Sequence, residues 1–438
     1  MKPLNLMGHS RPVKKVLFSD NGELLFTASV DRSIIAWYTN GEKFKTYAHS
    51  AAVNTLTLSS LENTYLISGD NTGCTYIWEV KSGTLLKKIE HDPILSVRSL
   101  HLLDLSLLSV VYAGRTKLAQ SFINIYKFDE IMGLNKAPVA SNISYTNNRF
   151  NNNRTFYENT SIYGNSNSMY SNQNQYNQNQ GSNMSKPNNS QPTNEQIIPV
   201  KHIECASNTS TKYVCAQFIP NVSNPGVKLL LSSREDGCME MINVNTGKML
   251  WVSKFHEDII LDFDYFPDKD LVLTSGKDGK AVLFNLDSLE VLATYKPDKP
   301  VRNLNTCKIC LFTTEETAVE QINKEIEQET KNLAEMKLDV EAIFETPKQI
   351  ENVTKTYLFS IISGGQESKL VTTSKQEGGF EVLAFDVSDN SQKFSINAHF
   401  GPVNSIAYSH KKGLIASGSE DSSAKVFKLD NKLLNYTI

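Results

Sequence analysis

The sequence predicts an all-β chain closed into a seven-bladed β-propeller. Three observations carry that prediction. The first is a spacing: His9 precedes Trp37, His256 precedes Phe284 and His399 precedes Phe427 by 28 residues, and His49 precedes Trp78 by 29. The second is a hydroxyl and a carboxylate inside the interval, Thr27 and Asp31, Thr274 and Asp278, Ser417 and Asp421. The third is the texture between these marks, where short apolar runs alternate with turn residues. A unit of this size cannot bury its own faces, so in-phase copies must stack into a ring.

The stretch 397–430 shows the unit most clearly. Val403, Ile406 and Tyr408 form the apolar side of one strand, Leu414–Ala416 a second, and Val426, Phe427 and Leu429 a third. In such a unit the turn Asp orients an imidazole, which meets the hydroxyl of strand b; an aromatic closes strand c. This is the WD-repeat pattern. It assigns structural roles to His9, Asp31, Trp37, His49, Trp78, His256, Asp278, His399 and Asp421.

The elements follow in order. Leu4–Leu6 is expected to supply the outermost strand of the last blade, because the repeat ending near Leu429 has no fourth strand of its own. Blade 1 runs from about Met7 to Tyr47, with Asn40-Gly41 as a hairpin turn. Blade 2, to about Ile89, has Thr72 where the turn Asp belongs, so its network should be incomplete. Blade 3 starts at His91 and carries Tyr126 in the aromatic position. Residues 140–196 then read as a disordered insertion, since 17 of the 53 residues from Asn142 to Asn194 are Asn and little apolar area offsets ordering. Strand character resumes at Val200–Ile203. Blade 4 is marked by Asp236 and Ile242, and blade 5 runs from His256 to Tyr295. Blade 6 opens at Pro300–Arg302 and resumes at Tyr357–Ile362. Between them, residues 313–350 are expected to be a helical insertion, with Val319, Ile322, Ile326, Leu333, Met336, Val340 and Ile343 at 3–4 spacing. Ten acidic and three basic residues in 315–345 argue against an RNA-binding helix.

Composition narrows the function classes. The chain has 438 residues, 40% hydrophobic content and a net charge of −3, with no global footprint for nucleic acid. No apolar run approaches the roughly 20 residues of a membrane helix, and no signal-peptide core is visible, so a soluble, cytoplasmic chain is expected. Cys307-Lys-Ile-Cys310 has metal-type spacing, but in a strand the two thiols face opposite sides; two buried reduced cysteines and no metal are expected. His9, His49, His91, His256 and His399 all sit at blade entries, while His101, His202 and His410 are scattered. No catalytic constellation and no cofactor site is legible, which disfavours an enzyme. The lysines Lys14, Lys15, Lys411 and Lys412 read as a solvated basic face.

Two further stretches carry a family resemblance. Gly364-Gly365-Gln366-Glu367 with Val371-Thr372-Thr373, the step Gly379-Phe380-Glu381, and His399-Phe400-Gly401-Pro402-Val403-Asn404-Ser405 resemble the WD-repeat i subunit of eukaryotic translation initiation factor three. The opening agrees, with Gly8-His9, Gly22-Glu23-Leu24-Leu25-Phe26-Thr27 and Trp37-Tyr38 before Asn40-Gly41-Glu42. The resemblance implies a non-catalytic scaffold that binds the b and g subunits and acts in mRNA recruitment and scanning on the small ribosomal subunit. Another WD scaffold, such as a ribosome-associated receptor or a G-protein β-like protein, is the alternative. The resemblance also places a helical segment of the b subunit near blades 5 and 6. Blade geometry puts Glu257, Asp258, Asp262 and Asp278 on one rim of blade 5, and a basic helix would suit it. Asp262 is off the apolar register of Phe263 and Tyr265. Asp258 and Asp262 are therefore expected to touch that partner, and Asp262→Lys to spare thermal stability.

Overall fold

In the computed structural model each repeat folds as four antiparallel strands, named a to d from the centre outward. It describes residues 3–59, 64–116, 120–134, 197–205, 211–221, 224–297, 303–316, 353–366 and 379–429. Seven four-stranded sheets result. Blade 1 spans Val13–Phe18, Leu24–Ser29, Ser33–Tyr38 and Lys43–Ala48; blade 2 spans Val53–Leu58, Tyr65–Asp70, Thr75–Glu79 and Leu85–Ile89. Blade 3 takes Leu95–Leu103, Leu107–Gly114 and Ser121–Lys127, then Lys201–Glu204 as its outer strand. Blades 4 and 5 start with Tyr213–Ile219 and Ile260–Phe266 and end with Lys248–Lys254 and Val291–Tyr295. Blade 6 runs from Leu304 to Asn397, and blade 7 holds Val403–Ser409, Leu414–Ser419 and Ala424–Lys428.

Strand a of each blade touches strand a of the next, and Val13–Phe18 packs against Val403–Ser409 to close the ring. The fourth strand of blade 7 is Leu4–Leu6, with Leu4 opposite Val426 and Leu6 opposite Ala424, as expected. Seven apolar clusters fill the seven blade interfaces. Leu6, Val16, Trp37 and Val426, for example, join blades 7 and 1, while Phe26, Tyr47, Leu66 and Trp78 join blades 1 and 2. Cys307 packs in the blade 5–6 cluster and Cys310 in the blade 6–7 cluster, on opposite faces of the sheet.

The same irregularity marks strand a of all seven blades, a one-residue bulge near its start. Pairing skips Lys14, Asn54, Arg98, Val214, Leu261, Asn305 and Asn404 in blades 1 to 7. A bulge bends the strand and re-aims side chains, which suits a strand that must splay from a shared axis.

Two boundaries differ from expectation. Strands a and b of blade 6 continue as one ladder to the pairs Thr313–Thr356 and Glu316–Val353. Thr313–Glu316 are therefore strand and do not begin a helix; β-branched Thr313 and Thr314 favour the pleat. The apolar seam Val319–Ile343 lies outside the described residues, as does 140–196. A short helix, Phe128–Met132, also follows strand c of blade 3, anchored by buried Phe128 and stopped by Gly133 at φ 68°.

Candidate partner-binding rim and channel

The rim where strand a begins is held by the predicted triads. In blade 1 His9 Nδ1 meets Asp31 at 2.8 Å and Nε2 meets Thr27 Oγ1 at 2.8 Å, while Trp37 Nε1 donates to Thr27 Oγ1 at 2.9 Å. Blade 5 repeats this with His256, Asp278 at 3.0 Å and Thr274 at 2.8 Å; blade 7 does so with His399, Asp421 at 2.9 Å and Ser417 at 2.7 Å. Burial pushes the Asp421 carboxyl upward, but hydrogen bonds from His399 and Ser423 outweigh it and hold the group below the usual range. Asp31 and Asp278 are lowered by the same balance.

Blade 2 is incomplete, as Thr72 implied. His49 Nε2 meets Ser68 Oγ at 2.9 Å, but Nδ1 is buried without a partner, and so is Asp70 Oδ2. Burial pulls the imidazole pKa down to about 4. In blade 4 the turn Asp236 pairs with Arg234, which also reaches buried Glu240 at 3.1 Å; a guanidinium bridge stands in place of an imidazole triad.

Three of the four blade 5 acids share the rim. The Glu257 amide donates to Asp278 Oδ2 at 3.1 Å, and the Glu257 carboxylate meets Lys280 Nζ at 2.9 Å. Asp258 is exposed, with Oδ1 accepting the Ile259 amide at 2.7 Å. Asp262 is not there. It follows the bulge at Leu261 and faces the central channel, 8% exposed, where Thr306 Oγ1 donates to Oδ2 at 2.9 Å. Lys15 Nζ reaches it from blade 1 at 3.8 Å. Its departure from the apolar register reflects the channel wall and not the rim on which sequence reasoning set it.

The channel is the feature that sequence reasoning missed. Lys14, Asn54, Arg98, Leu261, Asn305 and Asn404, all bulge residues, line a cavity of about 550 Å³ at its mouth. Asn54 Nδ2 donates to Val97 O of blade 3 at 3.2 Å, Asn305 to Val403 O of blade 7 at 2.9 Å, and Asn404 to Val13 O of blade 1 at 2.8 Å. Each amide thus ties its blade to the next. In blades 6 and 7 the residue after the bulge adds a rung, since Ser405 Oγ accepts the Val16 amide at 3.2 Å and Thr306 Oγ1 the Ile406 amide at 3.1 Å. The signal was present in Val53-Asn54-Thr55-Leu56, Leu304-Asn305-Thr306-Cys307 and Val403-Asn404-Ser405-Ile406, one motif in three blades. Lys14 and Lys15 belong to this channel, paired with Glu420 and Asp262, and do not share a solvated face with Lys411 and Lys412 in the a–b turn of blade 7. Deeper in the channel, Lys308 pairs with Asp264 at 2.5 Å.

Comparison with known proteins agrees with this architecture. The family model described as "WD domain, G-beta repeat" matches residues 2–38 and 390–428, the blades on either side of the ring closure. A curated protein of Kluyveromyces lactis, "Eukaryotic translation initiation factor 3 subunit I", is 24% identical over 440 residues, covering 100% of this chain and 94% of its own. The protein of the same name from Schizosaccharomyces pombe is 23% identical, covering 100% and 99%, and that of Nematostella vectensis 23%, covering 98% and 97%.

Proposed function

We propose that this chain, a WD-repeat propeller similar along its whole length to subunit I of eukaryotic translation initiation factor 3, serves as that subunit. The observation that carries the reading is the coverage, which runs from end to end in chain and relatives alike. A shared WD repeat alone would match only the commonest blades. The role is a non-catalytic cytoplasmic scaffold: a closed ring with rigid triads offers fixed rims on which other subunits can be held in register.

Within that role, the b and g subunits are the partners, and the complex brings the chain to the small ribosomal subunit during mRNA recruitment and scanning. The rim of blade 5 suits a basic helical segment of the b subunit. Glu257 and Asp258 supply the exposed carboxylates, and Asp278 holds the rim through His256. Support for this is electrostatic, since rim charges set association rate and orientation. Direct nucleic-acid binding forms no part of the proposal.

The test is sedimentation of the endogenous, tagged chain through sucrose gradients after crosslinking. Co-migration with 40S-sized complexes is expected, and should be lost when initiation factor 3 is depleted of its b subunit. A chain found only in light fractions, or on ribosomes regardless of the b subunit, favours the other WD scaffold.

A further inference from the structure

The outer strand of blade 4 carries the longest apolar run of the seven outer strands; that of blade 5, Val291–Tyr295, is uncharged but has only three apolar residues in succession. Lys248–Lys254 reads Lys-Met-Leu-Trp-Val-Ser-Lys, with four consecutive apolar residues and no charge between its terminal lysines. Met249 is 43% exposed, Leu250 53% and Val252 43%. Blade 1 places Lys43 and Lys45 in the same strand, blade 2 Lys87 and Lys88, and blade 6 Lys393, the usual means of keeping a sheet edge from recruiting another strand.

Pairing occupies only one side of this strand. Its inner edge runs against Cys238–Asn243, from Asn243–Lys248 to Cys238–Lys254, and strand d ends the sheet. The outward amides and carbonyls between Trp251 and Lys254 follow the bulge at Leu250 and form a regular edge. Four adjacent apolar side chains on such an edge are a liability unless something covers them. Chemistry indicates what. From Asn245 to Phe255 the chain carries Lys248 and Lys254 and no carboxylate, so the edge is apolar in its middle and cationic at both ends.

We propose that this edge is a β-augmentation site, which takes an extended polypeptide segment with an apolar β-forming centre and acidic residues at its ends. Backbone hydrogen bonds would hold the incoming strand, Leu250 and Val252 would pack its side chains, and the two lysines would select its flanks. The proposal rests on the strand alone and is independent of the functional assignment above.

The probes are two synthetic peptides with an identical alternating Val/Thr centre, one ended by glutamates and one by lysines, titrated into the full chain at low salt. Hydrogen exchange is expected to show new protection at Met249–Lys254 with the glutamate peptide, and calorimetry at least about tenfold tighter binding than for the lysine peptide. Leu250→Glu with Val252→Glu should abolish binding while Leu85→Glu in blade 2 leaves it intact. Because the exchange map uses the unaltered chain, a poorly folded variant does not rescue the idea. Protection located elsewhere, equal affinity for both peptides, or a chain that self-associates through this strand in sedimentation would overturn it, the last by making a second copy the occupant.

Discussion

His49 sits where His9, His256 and His399 sit, yet no carboxylate meets its Nδ1. Folded, it takes a proton only near pH 4, against 6.5 for an ordinary imidazole. The unfolded chain therefore binds the extra proton throughout that window, and stability falls as pH drops from 6.5 toward 4. The loss is about 2 kcal/mol by pH ~5. His101 has the same depressed value, owing to burial first and Lys308 second. We therefore expect His49→Gln to flatten, but not abolish, the decline in Tm between neutral and mildly acidic pH; an unchanged slope would count against the buried orphan. The turn acids act in a lower window. Asp31, Asp278 and Asp421 are held below 3.8, so their contribution is present above that value and lost as pH falls beneath it. Asp262 supplies the second test at this scale. Lysine there removes the acceptor for Thr306 and sets a cation against Lys15. A cost of about 2–4 kcal/mol should appear in thermal melts. A wild-type Tm would return Asp262 to the surface.

At the scale of elements, side-chain packing is tight where one blade's strand b meets the next blade's strand a. A Cβ on Gly69 would lie 2.3 Å from Val97 Cγ1, and one on Gly418 2.7 Å from Val13 Cγ1. Gly69→Ala should therefore cost about 1–3 kcal/mol through overpacking between blades 2 and 3, read as a lower denaturant midpoint with unchanged slope. The closing strand predicts a larger effect. Removing residues 1–7 takes away Leu6, which is 3% exposed, and leaves Ala424–Lys428 as a raw edge. We expect a large drop in melting temperature and concentration-dependent association, and an unaltered melt would show that the ring is closed by other means.

For the molecule as a whole, the blades were legible because their triads are long-range constraints written at fixed spacing. His9 to Trp37 or His399 to Phe427 identifies a blade without any knowledge of its neighbours. The missing Asp of blade 2 was legible for the same reason. Asp262 was misread because alternation counts residues, and the bulge at Leu261 shifts the count by one relative to the strand beside it. The blade-to-blade amides of Asn54, Asn305 and Asn404 were overlooked because each looks like ordinary strand polarity until the ring brings the next carbonyl within reach. The extended hairpin of blade 6 was assigned to the helical pattern that follows it, since two β-branched residues weigh little against a regular apolar seam. Partner choice is the least legible property, because it turns on exposed side chains, and these leave no mark on the repeat pattern that folding writes into the sequence. The measurement that bears most directly on the scaffold assignment is quantitative mass spectrometry of proteins co-purified with the tagged chain, beside the double variant Glu257→Lys, Asp258→Lys. Near-stoichiometric recovery of the other initiation factor 3 subunits is expected from the unaltered chain, with the b subunit reduced by the charge reversal at unchanged Tm. Recovery of a different set of partners, with those subunits absent, would contradict it.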